Sequence, residues 1–133
     1  MDNTQLYIGR LRASGLRPTK QRLAICKLLF DRKKTFHFSI EELYKICKKK
    51  RKEKISLATI YNTVHAFERK GYLKEILLKG SQTFYDTNTK KHYHFFDEEK
   101  FELIDIKDEN ISLNNLPKIP QGKKIKDIEI TIK

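Results

Sequence analysis

The chain has 133 residues, a formal net charge of +12 and two cysteines. That length allows one medium domain or two small ones, and two cysteines exclude a disulfide framework or a zinc ribbon. The polar start, Met-Asp-Asn-Thr-Gln, and the lack of any apolar run of membrane-spanning length predict a cytoplasmic protein without a signal peptide. The charge is uneven: residues 1–88 hold 20 Lys/Arg against 8 Asp/Glu, whereas residues 89–133 hold nine of each. This asymmetry suggests a polyanion-binding domain joined to a module with another task. A lysine-rich proteome would give the same excess, and the run Lys48, Lys49, Lys50, Arg51, Lys52 and Lys54 also fits a solvated loop.

The first expected helix runs from Thr4 to Ser14, with Leu6, Ile8 and Leu11 apolar and Gly15 ending it. A second opens at Pro18 or Thr19 and runs through Leu23, Cys26 and Phe30. Ser39-Ile40-Glu41-Glu42 is a capping box that starts a third, with Leu43, Ile46 and Cys47 inward. Cys26 and Cys47 fall within these helical patterns and read as small buried hydrophobes.

Residues 56–71 are the most informative stretch. Ser56 suits an N-cap and Gly71 a left-handed C-terminal turn. Leu57, Ile60, Val64 and Phe67 have the spacing of a core-facing stripe. The rest of the first two turns offers Ala58, Thr59, Tyr61, Asn62 and Thr63, where an ordinary solvent-facing helix carries long charged side chains. Short hydroxyls, an amide and a phenol suit a surface pressed into a DNA major groove. An amphipathic helix with a Thr-rich exposed side fits the segment equally well. Two extended runs follow, Tyr72–Leu78 and Gln82–Asp86, around a tight-turn signal at Lys79-Gly80-Ser81. Helices followed by a hairpin, all strongly basic, predict a winged helix whose last helix enters the major groove.

The remainder changes character. His92–Phe96 and Phe101–Ile106 read as strands around the acidic turn Asp97-Glu98-Glu99. At most one short helix fits near Ile111–Leu116. Ile128, Ile130 and Ile132 alternate with polar residues in Ile125–Ile132, the pattern of a strand with one buried face. So small a module buries little surface alone, and a twofold dimer through its sheet would complete it and place two winged helices for a palindromic site. The sequence thus predicts an α+β protein: an N-terminal winged helix-turn-helix domain over 1–87 and a small module over 88–133 that needs a partner.

Four histidines are present: His37, His65, His92 and His94. In His92-Tyr93-His94 the i, i+2 spacing points both rings to one face of a strand, as a metal site requires. Asp86 lies six residues before His92, Asp105 eleven after His94, and His37 precedes the third helix. Imidazole and carboxylate suit Fe(II), Mn(II) and Zn(II) alike. His65 reads as an ordinary surface or core residue. The cluster could also serve a metal-dependent hydrolase through an activated water, but no general base or nucleophile accompanies it. An architectural DNA binder with a purely structural cluster is the other alternative; its affinity would follow salt but not metal.

Several stretches together resemble the ferric uptake regulator family of bacterial metal-responsive repressors: Gly-Leu-Arg-Pro-Thr-Lys-Gln-Arg (15–22), His-Phe-Ser-Ile-Glu-Glu-Leu-Tyr (37–44), Ser-Leu-Ala-Thr-Ile-Tyr (56–61) and His-Tyr-His (92–94). The resemblance runs from about Leu11 to the C-terminus. It implies an N-terminal winged helix, a small α/β dimerisation and metal-sensing domain over 88–133, and a homodimeric repressor that binds double-stranded DNA at A/T-rich pseudo-palindromic operators. The regulatory metal site it implies falls on His37, Asp86, His92, His94 and Asp105. On the DNA side it implies base or phosphate contacts from Ser56, Thr59, Tyr61 and Asn62, and a minor-groove role for Arg17. Asn62 stands where many members carry Arg, and asparagine favours adenine.

One departure is large. The family's structural zinc uses a Cys-x-x-Cys whose positions here are Asp97 and Lys100, so a four-cysteine site is absent. That absence, with Leu-Ile-Asp-Ile (103–106) and Leu-Pro-Lys-Ile-Pro-Gln-Gly (116–122), is most similar to the iron response regulator branch. Control of iron and haem genes, haem as an effector and a partner from the haem pathway are what that branch implies. The Cys-Pro haem motif of some members is missing from this chain.

Overall fold

The computed structural model describes residues 2–50, 54–78, 83–107 and 111–133. The expected turn at Lys79-Gly80-Ser81 and the middle of the Lys48–Lys54 run lie outside them. The chain divides into two compact units, Met1–Thr89 and Lys90–Lys133.

The first unit contains α1 (Thr4–Ala13), α2 (Lys20–Phe30), β1 (His37–Phe38), α3 (Ile40–Lys49), α4 (Leu57–Lys70), β2 (Lys74–Leu77) and β3 (Thr83–Asp86). Three of the helices begin on side-chain caps. Thr19 accepts from the Arg22 amide, Ser39 from that of Glu42 and Ser56 from that of Thr59, so each cap satisfies an amide that the helix itself leaves without a partner. Gly15 and Gly71 leave their helices at φ 77° and 90°, a region that costs any L side chain. After Gly71 the Tyr72 amide donates back to the Phe67 carbonyl at 2.8 Å.

Helix α4 packs against α1, α2 and α3, and the core between them gathers Tyr7, Leu11, Ile25, Leu29, Leu43, Ile60, Val64 and Phe67. Burial pushes the Cys26 thiol up to about 12 and raises that of Cys47, as befits two small apolar residues with neutral thiols. The sheet runs β1-β3-β2, all antiparallel. Helices followed by a β2–β3 pair are the element order expected of a winged helix.

The α4 stripe differs from expectation at two positions. Leu57 is exposed, whereas Thr63 is fully buried. Thr63 lies three residues after Ile60 and four before Phe67, on the centre of the apolar arc; Leu57 stands at its flank in the first turn. Thr63 tolerates burial because its hydroxyl donates to the Thr59 carbonyl at 2.7 Å.

The second unit is a three-stranded sheet in the order β5-β4-β6, formed by β4 (Tyr93–Asp97), β5 (Glu102–Ile106) and β6 (Thr131–Ile132). Strands β4 and β5 are antiparallel and β6 joins β4 in parallel. The expected strand over Ile125–Ile132 is thus reduced to two residues, and Ile132 remains exposed. Parallel pairing with β4 gives it only His94 and Phe95 as partners, too short a ladder to bury an alternating face. Residues 111–116 are irregular, with Asn115 at φ 58°.

Candidate metal centre and nucleic-acid interface

Each unit supplies part of the residue set singled out in the sequence. In the first, His37 and Asp86 are opposite partners in the β1–β3 ladder, and opposite residues in such a pair share a face. Asp86 is almost fully buried, and its carboxylate accepts from the Asn88 amide at 2.8 Å. The His37 strand is two residues long and exists through its pairing with β3.

In the second unit His94 and Asp105 are opposite partners across β4–β5. His94 Nε2 lies 3.2 Å from Asp105 Oδ1, and His92 Nε2 lies 3.6 Å from the same oxygen. The two imidazoles meet edge to face with centroids 4.5 Å apart. His92 Nδ1 sits 2.7 Å from the Lys90 carbonyl. A carbonyl can only accept, so Nδ1 carries a hydrogen and Nε2 is the ring nitrogen directed toward Asp105. This is the arrangement in which an outer hydrogen bond fixes the tautomer of a ligating histidine. Ligand atoms of His92, His94 and Asp105 lie within 4.8 Å of one another. Two imidazole nitrogens and a carboxylate fit a divalent first-row metal.

The acidic turn between β4 and β5 is closed by the chain itself. Asp97 Oδ1 accepts from the Glu99 and Lys100 amides at 3.0 and 3.1 Å. A carboxylate therefore organises the hairpin at the position where the family resemblance places a zinc-binding cysteine.

The residues proposed for DNA all lie in the first unit. Arg17, Ser56, Tyr61 and Asn62 are exposed and Thr59 is half-buried. The hydroxyls of Ser56 and Thr59 are 2.9 Å apart, while Ser56 Oγ also accepts the Thr59 amide. One hydroxyl donates to the other, and one hydroxyl proton remains for an outside acceptor. Arg17 holds the Arg22 side chain through its carbonyl, at 2.9 Å, which leaves its own guanidinium on the surface. The Tyr61 ring stands edge to face against His65, centroids 5.3 Å apart. His65, read from sequence as an ordinary residue, in turn meets the Tyr85 ring of β3 at 6.2 Å. Its i+4 spacing from Tyr61 was the available signal; the contact to Tyr85 depends on tertiary packing. Burial, with the charges of Glu75 and Glu68, pushes the Tyr85 phenol up to about 12.

No helix among the described residues is long and apolar enough to cross a membrane. The family model for the ferric uptake regulator family matches residues 13–133. The chain is 36% identical over 99 residues to the peroxide-responsive repressor PerR of Staphylococcus epidermidis, a match covering 74% of this chain and 64% of the relative. Its fold is similar to the Vibrio cholerae ferric uptake regulator, with a TM-score of 0.70 and 24% identity over 98% of this chain and 97% of that one. It is also similar to the manganese-containing ferric uptake regulator of Pseudomonas aeruginosa, with a TM-score of 0.67 and 22% identity over 96% of this chain and 95% of that one. The chain belongs to the ferric uptake regulator family, whose members are transcriptional regulators and not enzymes.

Proposed function

We propose that this chain is a dimeric, metal-responsive transcriptional repressor that binds A/T-rich pseudo-palindromic DNA. The observation that carries the reading is the convergence of His92 Nε2 and His94 Nε2 on Asp105 Oδ1, with the His92 tautomer fixed by the Lys90 carbonyl. His37 and Asp86, a facing pair on the first unit, would supply the remaining ligands. A bound divalent metal supplies positive charge and directed coordination. With ligands drawn from residues 1–87 and 88–133, its occupancy would favour one disposition of the DNA-binding and dimerisation domains over others.

The DNA side follows from α4. Asn62 offers a bidentate amide for adenine, and the Tyr61 ring an apolar face for thymine methyls. Ser56 and Thr59 share a hydroxyl proton that can reach a base or phosphate. Arg17 suits a narrow A/T-rich minor groove. The surplus of Lys/Arg in residues 1–88 adds sequence-independent attraction. The exposed apolar row Ile104, Phe95 and Ile132 supports a homodimer through the second sheet. A protein operating on chromosomal DNA would act in the cytoplasm.

Within the family, the missing cysteine pair and the stretches 103–106 and 116–122 favour an iron- or haem-responsive regulator of the iron response type, with a haem-pathway protein as a further partner. The identity to a peroxide-responsive repressor favours a second reading, in which the bound metal renders the protein sensitive to peroxide. The test is binding to duplexes selected from a random library by the wild-type protein, at fixed salt. It compares metal-free protein with Fe(II), Mn(II), Zn(II) or haem, beside His92→Ala/His94→Ala. Effector-dependent affinity that the double variant loses supports a ligand-gated repressor and names the ligand. Release of the Fe(II)-loaded complex by peroxide alone selects the second reading. Affinity that follows salt and ignores every effector overturns both.

A further inference from the structure

The face of α4 assigned to DNA is joined by aromatic contacts to the strand pair that carries His37 and Asp86. Tyr61 meets His65 edge to face at 5.3 Å, His65 meets Tyr85 at 6.2 Å, and Tyr85 meets Phe38 at 5.9 Å. All four rings belong to the first unit. Tyr85 and Phe38 are opposite partners in the β1–β3 ladder, and the next pair along is Asp86 and His37. Successive residues of a strand point to opposite faces. One face of this short ladder therefore bears the two proposed ligands, and the other bears the two rings that lead to α4.

The inner end of this series is fixed. Phe38 and Tyr85 are buried in the core. The outer end is Tyr61, a residue 40% exposed. An exposed tyrosine on a helix samples several rotamers, and a ring packed beside it narrows that choice. The neighbour here is His65, one helical turn on, itself seated against Tyr85.

We propose that His65 is a positioning residue for DNA recognition: it ties the Tyr61 ring to β3, so that the ring's orientation toward bases follows the strand pair holding His37 and Asp86. The inference rests on the DNA-binding reading of α4. It adds a route by which displacement of the β1–β3 pair reaches a base-contacting ring inside one domain. It also makes the sequence selectivity of this chain depend on a residue that touches no base.

The test uses the full chain and two variants, His65→Ala and His65→Phe. The first removes the ring; the second keeps a ring and removes the ring nitrogens. His65 is exposed, so both should unfold at the wild-type temperature. The first readout needs no DNA. In the free protein His65→Ala should shift the assigned Tyr61 ring-proton resonances, and His65→Phe should keep them displaced from random-coil positions. The second is the affinity ratio between a library-selected duplex and copies in which single thymines are replaced. His65→Ala should lower that ratio by roughly two- to tenfold, the range expected of one aromatic pair, and His65→Phe should restore it. Unchanged Tyr61 resonances in His65→Ala overturn the proposal. So does an affinity loss equal on all duplexes, since it would make His65 a plain backbone contact. Failure of the wild-type protein to select any sequence overturns the DNA reading instead, and the resonance readout still reports on the ring contact.

Discussion

In the first unit Leu11, Ile25, Phe38, Leu43, Ile60, Val64 and Phe67 have no measurable exposure, and four helices enclose them from several sides. In the second, Tyr93, Phe96, Leu103 and Ile106 are buried while Phe95 and Ile104, also on β4 and β5, are 45% and 52% exposed. Phe95 lies opposite Ile104 on one side and Ile132 on the other, so three exposed apolar residues form one row across the sheet. The first unit has the core of an autonomous domain. In the second, the sheet face that carries Tyr93 and Ile106 is covered at that pair but left open along the row of Phe95, Ile104 and Ile132, which is the signature of a fold that finishes by association. The charge divides the same way: the closed unit is strongly basic and the open one neutral, so like charge does not oppose pairing of the open faces.

The comparison breaks most readily in the closed unit. Phe67 packs on both Phe30 and Tyr72 with no exposure, so Phe67→Ala should cost about 3–5 kcal/mol. Urea unfolding followed by circular dichroism measures it, and a loss below about 1 kcal/mol would contradict a core closed around α4. The open unit should respond differently. Ile104→Lys with Phe95→Lys removes two exposed side chains whose truncation the single chain hardly feels. It should weaken self-association by at least roughly tenfold, read by sedimentation equilibrium, with helical content unchanged. A wild-type dissociation constant in that variant would move the dimer interface off this face. The smallest effect belongs to Gly71, which closes α4 at φ 90° with open space where a Cβ would stand. Gly71→Ala meets no clash, so only backbone strain remains, about 1 kcal/mol. A variant as stable as wild type would show that the turn relaxes out of the left-handed region.

Much of the closed unit could be read in the sequence because its signals are local. Thr19, Ser39, Ser56 and Gly71 mark helix ends by their own chemistry, and each does so in the fold. The acidic turn at Asp97 and the hairpin it joins were legible for the same reason. What was missed depends on distant partners. His37–Phe38 is too short to show periodicity and becomes a strand only through β3. Leu57 and Thr63 exchange roles because the helix packs on three others, and that centres its buried arc on Thr63. The C-terminal isoleucines alternate as a strand should, yet only Thr131–Ile132 finds a ladder in the single chain. His92, His94 and Asp105 were legible as a set because the i, i+2 spacing fixes one pair and a tight hairpin fixes the register that brings the third. His65 carried only half such a mark: its i+4 spacing shows Tyr61 as a neighbour, but Tyr85 comes from another element.

The turn at Asp97 has a consequence for the life of the protein under scarcity. Its two hydrogen bonds come from the polypeptide, so the β4–β5 hairpin forms without drawing on any mineral supply. On the proposed metal-gated reading, chelation would leave this hairpin standing, and the same molecules could resume work when the ion returned. On that reading a starved cell would keep this part of the fold in place, ready to report recovery without new synthesis.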